Sequence, residues 1–260
     1  MIHIFIRIIT TITLVFLSWE TIAALTRLPH GDKVIRTLFE LVTQGYLLRD
    51  ILASSFRWGS GFIVGAILGI LLALITALPR HNKLMLIARS VESGLHLARA
   101  IPVIGLPTIL IFIAGFAEWG KMFIIGWGCA FPVWLSTHRG IQSIDEELYY
   151  ISRCLQMSWF RRLIHIVIPA ISHPVFSGLR ISLGVGWICV VAAEWIGVYE
   201  RGWLGYGLGI RLWREQELNH LAACSAILLC FGLLGLVTDT LFALSMRTLV
   251  PRFLGFDPNR

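Results

Sequence analysis

Charge is scarce in this chain. Only 14% of its 260 residues are Asp, Glu, Lys or Arg, where a soluble domain carries roughly 25%. With 57% hydrophobic residues and a mean hydropathy of +0.77, that scarcity excludes an ordinary cytosolic enzyme. Gly/Ser linkers and low-complexity tracts are missing too, so nothing in the composition divides the chain. The five cysteines, Cys129, Cys154, Cys189, Cys224 and Cys230, are odd in number and lack C-x-x-C spacing, which favours reduced, packed thiols over a disulfide framework. There is no H-E-x-x-H, and the eight histidines, His165 and His173 among them, form no compact ligand set. No metal site is expected, and neither a metalloprotease nor a serine intramembrane protease is supported. Lys and Arg outnumber the acids 22 to 15 but form no stripe or run. The excess therefore points to loops facing anionic lipid, and no nucleic-acid partner is expected.

What the chain has instead is apolar length. A spanning helix needs about 20 mostly apolar residues at about 1.5 Å each. Six segments meet or approach that: His3 to Leu25, interrupted by Arg7 and Glu20; Trp58 to Pro79; Ala100 to Ala117; Met122 to Thr137; Ile181 to Tyr199, carrying Glu194; and Leu221 to Thr238. The expectation is one all-α membrane domain over 1–260 with about six transmembrane helices. The first segment reads as an uncleaved span, because it lacks a small-residue cleavage pattern. Gly61, Gly65 and Gly69 recur every four residues and form a face for close helix approach. Leu84 to Ala98 has the pattern of an interfacial helix, with Leu84, Ala88, Val91, Leu95 and Ala98 on one face. Pro102 and Pro107 bend or break the third span. Trp19, Trp58, Trp119, Trp134, Trp203 and Trp213 fall near span ends and read as interface anchors. Counting alternate connections puts 13 of the 22 Lys and Arg on the side of both termini, which makes that side cytoplasmic.

The connection from His138 to Arg180 has its own pattern. Asp145 to Leu155 reads as a helix, with three acids at its positive end and Ile144, Leu148, Ile151 and Leu155 at helical spacing. Ser158 is an N-cap for a second helix, Trp159 to Ile168, stopping before Pro169. Arg153, Arg161 and Arg162 cluster near the bend. From the residues alone, this is either a docking surface or a positive-inside anchor.

The run Ile144-Asp145-Glu146-Glu147-Leu148 through Arg153, Ser158, Ile168-Pro169-Ala170, Pro174 and Ser177-Gly178-Leu179-Arg180 resembles the cytoplasmic EAA loop of ABC-importer permeases. Its flavour is that of the nitrate, sulfonate, taurine and bicarbonate type, the binding-protein-dependent inner-membrane components. Arg99-Ala100-Ile101-Pro102, Pro107, Ala193-Glu194, Leu204-Gly205-Tyr206, Gly232-Leu233-Leu234-Gly235-Leu236 and Asp239 extend the likeness from about Leu47 to Arg252. Two departures stand out. Tyr150-Ile151-Ser152 replaces Glu-Ala-Ala, and Gln156 replaces the loop glycine, where it needs another backbone path or some strain.

The resemblance implies a type I ABC-importer permease architecture, with an N-terminal span and outer loop in 1–46, a family-like core in 47–252 and a coupling loop in 138–176. It implies that Asp145, Glu146, Glu147, Arg153, Gln156, Ser158, Arg161, Arg162 and Pro169 form an ATPase-docking loop. The implied partners are a second permease subunit, as a homodimer, two ATP-binding-cassette ATPases, an extracytoplasmic substrate-binding protein and membrane lipid. The implied place is a bacterial inner membrane, and the implied solute is a small anion such as sulfonate, nitrate or bicarbonate. No cofactor is expected on this chain, with ATP and Mg on the partner ATPase. Gly115 to Lys121 matches seven positions of a P-loop, but Met122 stands where Ser or Thr would hold magnesium, so the match is a decoy.

Glu194 is the ionisable group placed inside a span. With Ser182, Trp187 and Arg99 it either lines a translocation path or pairs structurally with an arginine. Asp239 is expected near the inner end of the last span with an arginine such as Arg247. Tyr199 to His220 reads as a solvated outer loop or a surface for a binding protein. The rival classes are an ATP-independent secondary transporter or channel, against which there is no clear internal repeat, and a structural membrane scaffold.

Overall fold

The computed structural model describes residues 2–26, 28–78, 82–114, 118–195 and 206–254, and among these there is helix and no strand. In chain order the helices are α1 (Ile2–Leu25), α2 (Gly31–Thr43), α3 (Tyr46–Ala77), α4 (Asn82–Ala98), α5 (Leu106–Ala114), α6 (Glu118–Gln142), α7 (Glu146–Cys154), α8 (Trp159–Arg162), α9 (Ile168–Glu194), α10 (Leu208–Glu217) and α11 (Leu221–Leu254). A 3-10 turn at Val103–Gly105 precedes α5, and a π turn at Leu163–Val167 joins α8 to α9.

The centre of the bundle is α6, held between α3 and α9. The Gly61, Gly65, Gly69 face of α3 lies on it so closely that a Cβ at Gly65 would sit 2.5 Å from the Gly126 carbonyl oxygen and one at Gly69 2.6 Å from that of Ala130. On the other side, a Cβ at Gly178 of α9 would sit 2.9 Å from Ser136 Cβ, and the Ser182 hydroxyl donates to the Cys129 carbonyl at 2.9 Å. In lipid there is little hydrophobic drive between helices, so backbone approach of this kind supplies the packing.

Three helices among the described residues are long and apolar enough to cross a membrane: Tyr46–Ala77, Trp159–Glu194 and Leu221–Met246. Leu84–Ala98 and Val103–Ile113 pass together as a pair bent by 73°, at the place the two prolines mark. The six expected spans are therefore met by three, or four with the bent pair. The first expected span is helical as α1, most of whose first half lies outside the described side chains, and the fourth is helical as α6, long enough but less apolar than a lipid-facing span. For α6 the reason is its neighbours. Its Gly126 and Trp134 face α3 and its Gly128 and Gly140 face α9, so hydropathy, which measures fitness to face lipid, undervalues it.

Two helix boundaries also differ from expectation. Helix α3 begins at Tyr46, twelve residues before Trp58, so Trp58 lies well inside, stacked on Trp187 with centroids 5.0 Å apart. Trp134 is likewise no interface anchor. It is fully buried and donates to Thr76 Oγ1 at 3.1 Å. The second loop helix does not stop before Pro169. It passes through the π turn into α9, with Pro169 at the first turn of that helix and Pro174 inside it. A π turn shifts the backbone pairing, and a proline in a first turn leaves no internal bond broken. The five cysteines are free thiols, with Cys154 exposed and Cys129, Cys189 and Cys230 buried.

Candidate functional site

Helix α7 is built as its sequence directs. Asp145 adopts the extended cap conformation and its carboxylate accepts from the Glu147 amide at 3.3 Å, while Glu146 and Glu147 occupy the first turn and Arg153 the last. These charges complement the helix dipole at both ends. Tyr149 and Ser152 are buried, and Tyr149 and Ile144 join a core cluster with Trp134 and Ile141 of α6 and Ile171 of α9. The expected apolar stripe turns the other way. Of its members only Ile144 is buried, and Leu148, Ile151 and Leu155 are exposed together with Tyr150, Trp159 and Phe160. The helix prediction holds, yet the stripe that supports it faces outward.

Gln156 resolves the choice between another path and strain. It takes φ +49, the left-handed conformation suited to glycine. Its amide donates to Arg153 O at 2.9 Å and the Met157 amide to Ser152 O at 3.0 Å. This is a Schellman closure of α7, with a side chain where glycine costs less. Ser158 then caps α8, its hydroxyl accepting from the Arg161 amide at 3.4 Å, and Arg161 is exposed.

At the opposite end of the bundle lies a buried ionic cluster. Glu194 is fully buried and accepts from Ser54 Oγ at 2.8 and 3.0 Å, Arg57 Nη1 at 2.8 Å and the Gly209 amide at 2.7 Å. Arg57 also donates through Nε and Nη2 to the two Glu118 oxygens, at 2.7 and 2.8 Å, and through Nη1 to the Tyr206 carbonyl at 2.6 Å. Lys121, itself buried, donates to Glu118 at 2.8 Å. Asp50 accepts from the Gly207 amide and from Arg211. Helices α3, α6, α9 and α10 are tied together here.

The four expected path residues share no partner in these contacts. Ser182 bonds α6, Trp187 stacks on Trp58 and donates to Thr238 at 3.2 Å, Arg99 is exposed beyond α4, and Glu194 sits in the cluster. Asp239 takes Arg180, at 2.7 Å from both of its oxygens, while the Arg247 side chain lies outside the described residues, as do Gly115 to Ala117 and Tyr199 to Gly205. Past that gap the segment is helix α10, exposed only at Arg214 and from Gln216 to His220. Gly207, Leu208, Gly209 and Ile210 are buried. Asp50, Ser54 and Arg57 were not singled out from the sequence. Their signal is the i, i+4, i+7 spacing on one helix face, hidden when the span is started at Trp58.

This arrangement is a helical membrane bundle with a capped loop at one end and an ionic clasp at the other, and its fold is that of known transporters. It is similar to a chain of the MetNI methionine ABC transporter in an inward-facing conformation, with TM-score 0.63, 14% identity and coverage of 79% of this chain and 96% of that one. A chain of an amino acid ABC transporter gives TM-score 0.58 at 16% identity, covering 82% and 98%. The chain belongs to the family of binding-protein-dependent transport system inner membrane components, whose profile matches residues 65–252. It is a multi-pass inner-membrane permease subunit. Among its relatives, an aliphatic sulfonates transport permease protein of Bacillus subtilis is 27% identical over 237 residues, covering 89% of this chain and 82% of that protein. An ABC transporter permease protein of Brucella melitensis is 30% identical over 223 residues, covering 85% and 86%. A bicarbonate transport system permease protein of Synechococcus elongatus is 27% identical over 202 residues, covering 77% and 69%.

Proposed function

We propose that this subunit forms the path of an ATP-driven importer for a small anion, with an aliphatic sulfonate or bicarbonate as the type. ATP and Mg bind to a separate ABC ATPase that docks on α7 and α8, which face the cytoplasm together with both termini. Two copies of the permease and two ATPases make the transporter, and an extracytoplasmic binding protein delivers the solute. The observation that carries this is the outward-turned face of Leu148, Tyr150, Ile151, Leu155, Trp159 and Phe160 beside Arg161. An apolar face held by proper caps on a short loop is costly unless a partner covers it. The names of the sulfonate and bicarbonate relatives support the anion.

Closure of the ATPase pair draws the loops together and rocks the attached helices. The ATPase drives this only by binding one arrangement better than the other, since equal affinity shifts nothing. The test is affinity purification of the chain in mild detergent from its host, with ethanesulfonate and bicarbonate uptake measured in the same cells. An ABC ATPase is expected to co-purify. Arg161→Glu with Arg162→Glu is expected to detach it while the permease stays folded. Reproducible recovery of the permease without an ATPase, even after crosslinking, would move the assignment to an ATP-independent carrier.

A further inference from the structure

We infer that Arg57 is an anion-recognition residue of the outer entrance, and that Glu118 is a built-in competitor which an incoming solute oxyanion displaces. This rests on the anionic-solute reading above.

The two arms of Arg57 are unlike. Toward Glu194 it is sealed, since that carboxylate has no exposure and is held as well by Ser54 and the Gly209 amide. Toward Glu118 it presents its Nε–Nη2 edge as a two-bond fork, and the Glu118 side chain keeps 27% exposure at the first turn of α6. Such a fork accepts two oxygens of a sulfonate with the same geometry as those of a carboxylate. Only the Glu118 arm can exchange with an anion from water without unpacking the bundle.

A cavity of about 360 Å³ adjoins this arm. Ala53, Phe56 and Met122 give it an apolar wall, and Arg49 adds a second guanidinium, 3.6 Å above the Tyr206 ring. Two cations beside an apolar wall suit an oxyanion with a short alkyl tail better than a bare one. The displaced carboxylate is not stranded, because Lys121 Nζ already holds Glu118 at 2.8 Å. Glu118 stays beside the fork on Lys121, so the incoming oxyanion adds one negative charge to the site, and its repulsion from that carboxylate keeps binding weak enough to release.

The test is equilibrium binding to the complex purified through this chain, with ethanesulfonate as the probe, nitrate as the tail-less anion and dimethyl sulfone as the uncharged isostere. Glu118→Gln is expected to bind ethanesulfonate about tenfold tighter than the natural chain, and Arg57→Lys, which keeps the charge but loses the fork, at least tenfold weaker. Met122→Ala is expected to weaken ethanesulfonate and leave nitrate unchanged. If Arg57→Lys does not fold, Glu118→Gln decides. Unchanged or weaker binding by Glu118→Gln, or dimethyl sulfone binding as well as ethanesulfonate, overturns the inference. Anion uptake by cells with no binding in any of these proteins overturns it too, and leaves the importer reading standing. No anion uptake by cells carrying the whole system overturns the reading beneath it.

Discussion

Gln156 is the residue at which composition and geometry pull apart. A non-glycine side chain in the left-handed region costs about 1–2 kcal/mol, and here it closes α7 directly behind the exposed face proposed to dock the ATPase. Glycine removes that cost and returns part of it through the freer unfolded chain. Gln156→Gly is therefore expected to leave the fold intact and gain up to about 1 kcal/mol, seen as an equal or higher melting temperature in detergent. Gln156→Val, β-branched at positive φ, is expected to lower that temperature and the recovery of ATPase together. Glu194 behaves oppositely. Removing its charge strands a buried guanidinium arm, so Glu194→Gln is expected to cost on the order of 3 kcal/mol. A melting temperature within a degree of the natural chain's would contradict the buried-cluster account. The special status of Glu194 is legible in the sequence because an acid inside an apolar run has no cheap explanation. Its partners are less legible, because Asp50, Ser54 and Arg57 precede the charge-free stretch and look like part of a loop.

Helices here are specified by different signals. The α3 face is readable from spacing alone, and what it meets explains why it must be small. Gly65→Val is expected to push α3 off α6, since even one Cβ there would lie 2.5 Å from a backbone oxygen and backbone cannot yield as a side chain can. Gly94 of α4 is the control, with open space around it. Gly94→Ala is expected to raise stability by up to about 1 kcal/mol through helix propensity. Detergent melting curves of the two variants should move in opposite directions. Helix α6 was only partly legible, because a helix surrounded by protein loses the hydropathy that marks a lipid-facing span. Pro169 misleads for a related reason. A proline reads as a stop only while ordinary helix pairing is assumed, and the π turn before it changes that pairing. The stripe on α7 shows the limit of periodicity, which fixes that a helix forms and leaves open whether its apolar side turns inward or toward a partner.

For the molecule as a whole, the two ends are built for different tasks. The α7–α8 end spends its polar groups on capping and leaves aromatic side chains outside, and the end holding Glu194 buries its charges in mutual pairs. Phe160 is 64% exposed, so Phe160→Ser is expected to leave the permease's own melting temperature unchanged while reducing the ATPase recovered with it. Equal loss of both would mean that the side chain packs within the subunit. Three of the expected spans, a further one as a bent pair, and the two short loop helices were legible from sequence, since lipid thickness imposes a length that few alternatives satisfy. The outer clasp was not, because it joins residues as far apart in the chain as Ser54 and Glu194.

The course from Trp159 to Glu194 has a mechanical consequence. Those 36 residues form one helical course long and apolar enough to cross a membrane, about 54 Å long at 1.5 Å per residue, with the exposed face of α8 at one end and the Glu194 clasp at the other. Such a rod is a lever. A tilt of roughly 5° imposed at the α8 end would carry its far tip by about 5 Å over that length, more than the reach of any hydrogen bond it holds there, so a small movement at one end of the rod is enough to unfasten the clasp at the other.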